Sequence, residues 1–153
     1  MVSAILLKKS GEQKFFWNID ANVGFRSANK TDDVQLVQLA YSVRATRSDI
    51  PAESKRAFAA VKIGAPCTGL EDDPLVVAIR VHQKDRGGTQ DGHVSVIHTS
   101  NGVYHDSGGD HLFMLAALVN NIFDAMPADF PRIDKHPSCP PALKASVLNV
   151  CTR

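Results

Sequence analysis

A chain of 153 residues, 44% hydrophobic and 22% charged, has the make-up of one ordinary folded domain that buries roughly 68–70% of its unfolded surface, so it needs neither a metal nor a disulfide to fold. Seventeen Lys and Arg against sixteen Asp and Glu leave a net charge of +1, which offers no general attraction to polyanions and argues against a nucleic-acid partner. The opening MVSAILLKKSG has an apolar run too short for a secretory signal, with its lysines after rather than before it, and the longest apolar run, Leu112 to Val119, is far below membrane-spanning length; the expectation is cytoplasmic synthesis without a signal peptide, no membrane partner, and an unconventional route out for any role at the envelope.

Two apolar runs, Ala4 to Lys8 and Lys14 to Ile19, flank Ser10-Gly11-Glu12-Gln13 and outline a hairpin. Phe15, Phe16 and Trp17 make the second run the main aromatic cluster, expected to lie under a helix rather than to form an exposed stacking platform. Asn22 to Lys30 is a loop by its Gly, Ser and Asn content. Thr31-Asp32-Asp33 then starts a helix, since their side chains can accept from its first free amides and their charge suits its positive end. Within it Val34, Val37 and Tyr41 form one apolar row and Leu36, Ala40 and Val43 the next. A second helix is expected from Pro51 to about Val61, stopped near Gly64.

The segment Leu75 to Ser95, LVVAIRVHQKDRGGTQDGHVS, is ambiguous on periodicity alone. Leu75, Val77, Ile79 and Val81 alternate like a strand, whereas Leu75, Ala78, Ile79 and His82 follow a helical stripe. The flanks decide for a helix: Asp73 can cap it, Pro74 suits its first position, and Gly87-Gly88 ends it, with Asp91-Gly92 as a turn. Beyond it, Val94 to His98 and Val103 to His105 flank Ser100-Asn101-Gly102 and predict a second hairpin. Asp110 is placed to cap a long helix from His111 to Met126, so apolar between Leu112 and Val119 that it predicts either a buried helix or a homodimer interface. Residues 128–141 are proline-rich and irregular, and Ala142 to Val150 forms a last short helix.

Three cysteines, Cys67, Cys139 and Cys151, contain no CxxC pair and read as free thiols, with a Cys139–Cys151 bridge open to an exported protein. Four of the six histidines, His93, His98, His105 and His111, fall within nineteen residues beside Asp106 and Asp110. A zinc site needs three such ligands and one open position, so a small zinc-dependent hydrolase is one alternative, although no metal motif of known spacing is present. Ser95 and Ser107 lie in no nucleophile elbow, and GGTQDG lacks the GK[ST] of a phosphate-binding loop, so no catalytic residue is assigned.

Three segments in order carry a resemblance. Val23-Gly24 with Asn29 and Asp32-Asp33-Val34-Gln35-Leu36-Val37-Gln38, then Ala78-Ile79-Arg80-Val81-His82-Gln83, then Asp91-Gly92-His93-Val94 resemble the loop and first helix, the last helix and the closing turn of the peptidoglycan-binding-like module, a small three-helix domain of cell-wall hydrolases and of phage and secretion-system proteins. His82 stands where that family usually has Phe, Pro74 where a threonine start is common, and Cys67-Thr68-Gly69 replaces a longer glycine-rich turn. The resemblance covers residues 23–95, about half the chain.

It implies a mainly α fold with small β-hairpins (α+β), in one domain: an N-terminal hairpin (1–22), a three-helix core (23–97), and a hairpin with a helical extension (98–153). It implies non-catalytic recognition of cell-wall glycan or peptide, or docking in an envelope-directed system, with no cofactor. A wall ligand needs donors for hydroxyls and amides and a cation for carboxylate. Arg80 and Gln83, three apart on one helix face, with Asp91 and His93 in the turn, are the residues expected to supply them; the competing account makes Arg80 and Gln83 only the solvated side of that helix. A homo-oligomeric interaction module without glycan binding is the other alternative.

Overall fold

The computed structural model describes residues 1–9, 12–99, 102–105 and 113–152. It is an α+β protein, with five α-helices and two small sheets among the described residues. Strands β1 (Ser3–Lys9) and β2 (Glu12–Asn18) form the expected antiparallel hairpin, pairing Ser3 with Asn18 through to Lys9 with Glu12. Phe16 and Trp17 are buried, and the Trp17 indole donates to the Pro131 carbonyl at 2.9 Å, so the aromatic run belongs to the core.

The short strand β3 (Val23–Gly24) leads to helices α1 (Thr31–Arg44) and α2 (Ala52–Ala59). Helix α1 begins where expected, but its cap differs: Lys30 occupies the N-cap with no side-chain hydrogen bond. Asp33 instead accepts from the backbone amides of Asp20 and Ala21, each at 3.0 Å, and Asp32 accepts from that of Val2. The two carboxylates anchor the hairpin to α1, a task that a local capping rule does not anticipate. Both helical rows of α1 are buried, because α4 and α5 lie against it as well as α2.

Leu75 to Val81 is helical. Helix α3 (Pro74–Asp85) is capped by Asp73, whose Oδ1 accepts from Leu75 N at 2.8 Å and whose Oδ2 accepts from Thr68 N and Oγ1 at 2.8 and 3.1 Å. Gly87 follows at φ +72, a left-handed conformation that glycine adopts without strain. The alternating valines are no obstacle, since Val76 and Ile79 are buried while Val77 lies outward.

The second predicted hairpin does not form. Strand β4 (His93–Val94) pairs antiparallel with β3, Val23 to Val94 and Gly24 to His93, whereas β5 (Val103–His105) pairs parallel with β1. The two segments belong to different sheets because residues 18–23 capture the first of them: Asn18 bonds both the N–H and C=O of Ile97, and the Asn22 side chain accepts from Val96 N. His98 and His105 are therefore not cross-strand partners.

Helix α4 (Met114–Ala125) starts at Met114 with Phe113 as N-cap; the predicted cap Asp110 and first residue His111 lie outside the described residues. Leu115, Ala116, Leu118 and Val119 are buried within this chain against α1 and β2. That packing explains the apolar run of α4 without a second subunit, and it takes those side chains away from the expected dimer interface. A 3-10 turn (Ile133–Lys135) and α5 (Pro141–Cys151) complete the chain. Cys139 lies just before α5 and Cys151 is its last residue, and the eleven residues of the helix span about 16 Å. A disulfide needs Cα atoms under about 7 Å apart, so the Cys139–Cys151 bridge is excluded in this fold, and all three cysteines are free.

Candidate functional site

The turn after β3, helix α3 and the turn before β4 meet at one place, and glycines permit the approach. A Cβ on Gly24, at φ +117, would lie 2.3 Å from the Gly92 carbonyl oxygen and 2.8 Å from Ile79 Cδ1. A Cβ on Gly92, at φ +81, would lie 2.9 Å from Arg80 Nε and 3.0 Å from Phe25 Cβ. Phe25 N donates to Gly92 O at 2.9 Å, extending the β3–β4 pairing. Asn29 holds the loop from inside: its Oδ1 accepts from Gly24 N at 2.7 Å and its Nδ2 donates to Gly24 O and Ser27 O. The five-residue spacing of Gly24 and Asn29 in the sequence is thus a mutual clamp, with Asn29 itself left-handed at φ 51, a conformation asparagine tolerates.

Gln83 is fully engaged by the closing turn. Its Nε2 donates to Asp91 Oδ1 at 2.7 Å and to His93 O at 3.2 Å, and its Oε1 accepts from Gly92 N at 2.9 Å. Asp91 Oδ1 also accepts from His93 N at 3.1 Å, and the His93 ring nitrogen Nδ1 lies 3.5 Å away. The structure therefore brings Arg80, Gln83, Asp91 and His93 together, but divides their work. Gln83 and Asp91 hold the turn, and Arg80 and His93 border the open space beside it.

That space is a cleft of about 670 Å³ lined by Phe25, Arg26, Arg80, Asp91 and His93 among others. The guanidinium carbons of Arg26 and Arg80 lie 5.0 and 4.7 Å from the centroid of the Phe25 ring, within cation–π range. Arg80 Nε, packed against Gly92, is buried without a hydrogen-bond partner among the described residues. Among the described residues its one ion-pair contact is with the exposed carboxylate of Glu71, at 4.0 Å. A smaller cleft of about 250 Å³ on the other side of Asp91 and His93 is lined by Arg86, Phe113 and Met114.

Phe25 and Arg26 were not legible as site residues. The one sequence signal was an aromatic and a cation directly after a glycine, and the left-handed φ of 48 at Arg26 has no sequence signature at an arginine.

Beneath the cleft, His82 fills the position of the expected Phe. It is 1% exposed, its ring meets those of Tyr41 and Phe58 edge to face at 5.7 and 6.0 Å, and its Nδ1 lies 3.1 Å from the Tyr41 hydroxyl. Burial, reinforced by the nearby cations Arg44 and Arg86, pushes its pKa down to about 3. It is a neutral aromatic ring at ordinary pH.

For the zinc alternative, the described residues hold no group of three or more His, Cys, Asp or Glu placed to bind a metal. His93 sits at the cleft and His98 is exposed on the segment after β4, while the His105 side chain and His111 lie outside the described residues. No helix among the described residues is long and apolar enough to cross a membrane. Comparison with protein-family models, curated proteins and solved structures finds no match to this chain.

Proposed function

We propose that this chain is a non-catalytic recognition module for cell-wall peptidoglycan, or for a wall-like ligand in an envelope-directed system, built on a three-helix peptidoglycan-binding-like core of α1, α2 and α3 closed by β3 and β4. The observation that carries the reading is the cleft where Phe25, Arg26, Arg80 and His93 converge, on the three segments whose residues resemble that module. Several resembling residues also have tasks suited to a shared scaffold: Asn29 clamps Gly24, Gln83 clamps the Asp91–Gly92–His93 turn, and Asp33 ties α1 to the preceding chain. An aromatic face flanked by guanidinium groups offers apolar contact to a sugar ring and charged donors to its substituents.

Sedimentation with purified, protein-free peptidoglycan sacculi tests this directly. Wild-type protein should pellet with the sacculi. Arg80→Ala should lower the bound fraction about ten-fold, as expected for loss of a charge-assisted contact, while Lys144→Ala on α5 should leave it unchanged. Failure of the wild-type protein to bind sacculi would refute the wall reading, and a mass rising with concentration in its place would support the homo-oligomeric module.

A further inference from the structure

We propose that Arg26 and Arg80, braced on the Phe25 ring, form a two-guanidinium clamp for a single carboxylate, the free C-terminal carboxylate of a wall stem peptide. This deepens the wall-binding reading and rests on it. Two like charges held on one ring repel each other, and among the described residues neither has an ion pair closer than 4.0 Å. Among the described residues Arg26 has no ion-pair partner, and Arg80 has only the remote contact with exposed Glu71.

The backbone holds this arrangement at a conformational cost. Arg26 sits at φ 48, where a non-glycine residue is uncommon, fixed by its N–H donating to Gly69 O at 3.1 Å. Gly92 in turn leaves room for Arg80 Nε, which any side chain there would displace. Two planar donors facing one cleft match the two oxygens of a carboxylate.

Charge decides between a carboxylate and a phosphate. Asp91 lines the same cleft and Glu71 lies 4.0 Å from Arg80, so carboxylates at the cleft offset part of the arginines' charge. That local balance suits a monoanion making two directional contacts and disfavours the second charge of a phosphate.

The test uses acetyl-Lys-D-Ala-D-Ala, the same peptide as its C-terminal amide, and inorganic phosphate, each titrated into the full chain and followed by the backbone amide shifts of Phe25, Gly92 and His93. The free acid should move these resonances in a saturable, salt-sensitive manner and bind about ten-fold more tightly than the amide or phosphate. Arg26→Gln and Arg80→Gln should each remove that preference. Because Arg26 is exposed and Arg26→Gln keeps a polar, unbranched side chain, this variant should fold even if Arg80→Gln does not. Equal binding of acid and amide, phosphate binding as tightly as the acid, or an acid preference surviving in Arg26→Gln would overturn the clamp. Sacculus binding reports separately: its loss in the wild-type protein refutes the wall reading, whereas intact sacculus binding with no acid preference refutes only the clamp.

Discussion

His82 makes stability depend on pH in a way its replacement should abolish. In the unfolded chain its pKa lies near 6.5, and in the folded protein it is about 3. The folded state therefore resists protonation that the unfolded state accepts. The contribution of the neutral ring is complete above the unfolded value and is lost progressively as pH falls from about 6.5 toward about 3. One pKa unit corresponds to about 1.4 kcal/mol, so acidification to about pH 4.5 should remove roughly 2–3 kcal/mol through this one side chain. That is a large fraction of the net stability of a small domain, which is about 5–15 kcal/mol.

The perturbation must respect the Tyr41 hydroxyl, which is fully buried and lies 3.1 Å from His82 Nδ1. His82→Phe alone keeps a ring between Tyr41 and Phe58 but orphans that hydroxyl, a loss of about 1–3 kcal/mol. Tyr41→Phe/His82→Phe removes both polar atoms and should recover most of that loss at neutral pH, leaving only the strain of a slightly larger ring. Urea unfolding at a series of pH values reads the result. Between about pH 7 and about pH 4.5 both variants should gain about 2–3 kcal/mol relative to the parent, because the carboxylates titrate alike in all three proteins. Parallel curves for parent and double variant across that range would refute the reasoning, since His82 would then have no depressed pKa.

Three further outcomes follow from single side chains. Asp73→Ala removes the α3 cap and its two bonds from Thr68, and should lower stability by about 1–2 kcal/mol in thermal or urea unfolding. Gln83→Glu replaces the donor 2.7 Å from Asp91 with a second carboxylate, so it should destabilise more than Gln83→Ala and accelerate hydrogen exchange at the Gly92 amide in proportion. Oxidation of the folded protein should leave no intramolecular Cys139–Cys151 linkage, which peptide mass mapping under non-reducing conditions would reveal.

The parts of the fold that the sequence made legible are those whose signals are local. Asp73-Pro74 before α3 and Gly87-Gly88 after it outweighed the β-branched alternation between them, because a cap and a missing amide act on the chain within one turn. The N-terminal hairpin was readable for the same reason. The second hairpin failed because Asn-Gly reports only a turn's local preference, and the competing partners were distant: Asn18 and Asn22 reach Ile97 and Val96 from more than seventy residues away in sequence. The apolar run of α4 was equally ambiguous, since a sequence cannot distinguish a helix buried by its own chain from one buried by a copy.

The site shows the same limit from the other side. Helical spacing placed Arg80 and Gln83 on one face, and both do reach the Asp91–His93 turn, yet proximity did not reveal their different roles. Gln83 has its amide donor and acceptor both satisfied by backbone and Asp91, so a ligand could engage it only by breaking the turn that shapes the cleft. Among the described residues Arg80 has a ring beneath it, no ion pair closer than the 4.0 Å contact with Glu71, and an Nε without a hydrogen-bond partner. An unsatisfied cation beside a rigid turn is the better recognition group, because its ligand replaces water rather than an existing bond. Arg26, proposed as its partner, lies on a loop whose left-handed backbone accompanies its place over the Phe25 ring, and that conformation is set by Gly69 and Asn29 rather than by the arginine's own preference.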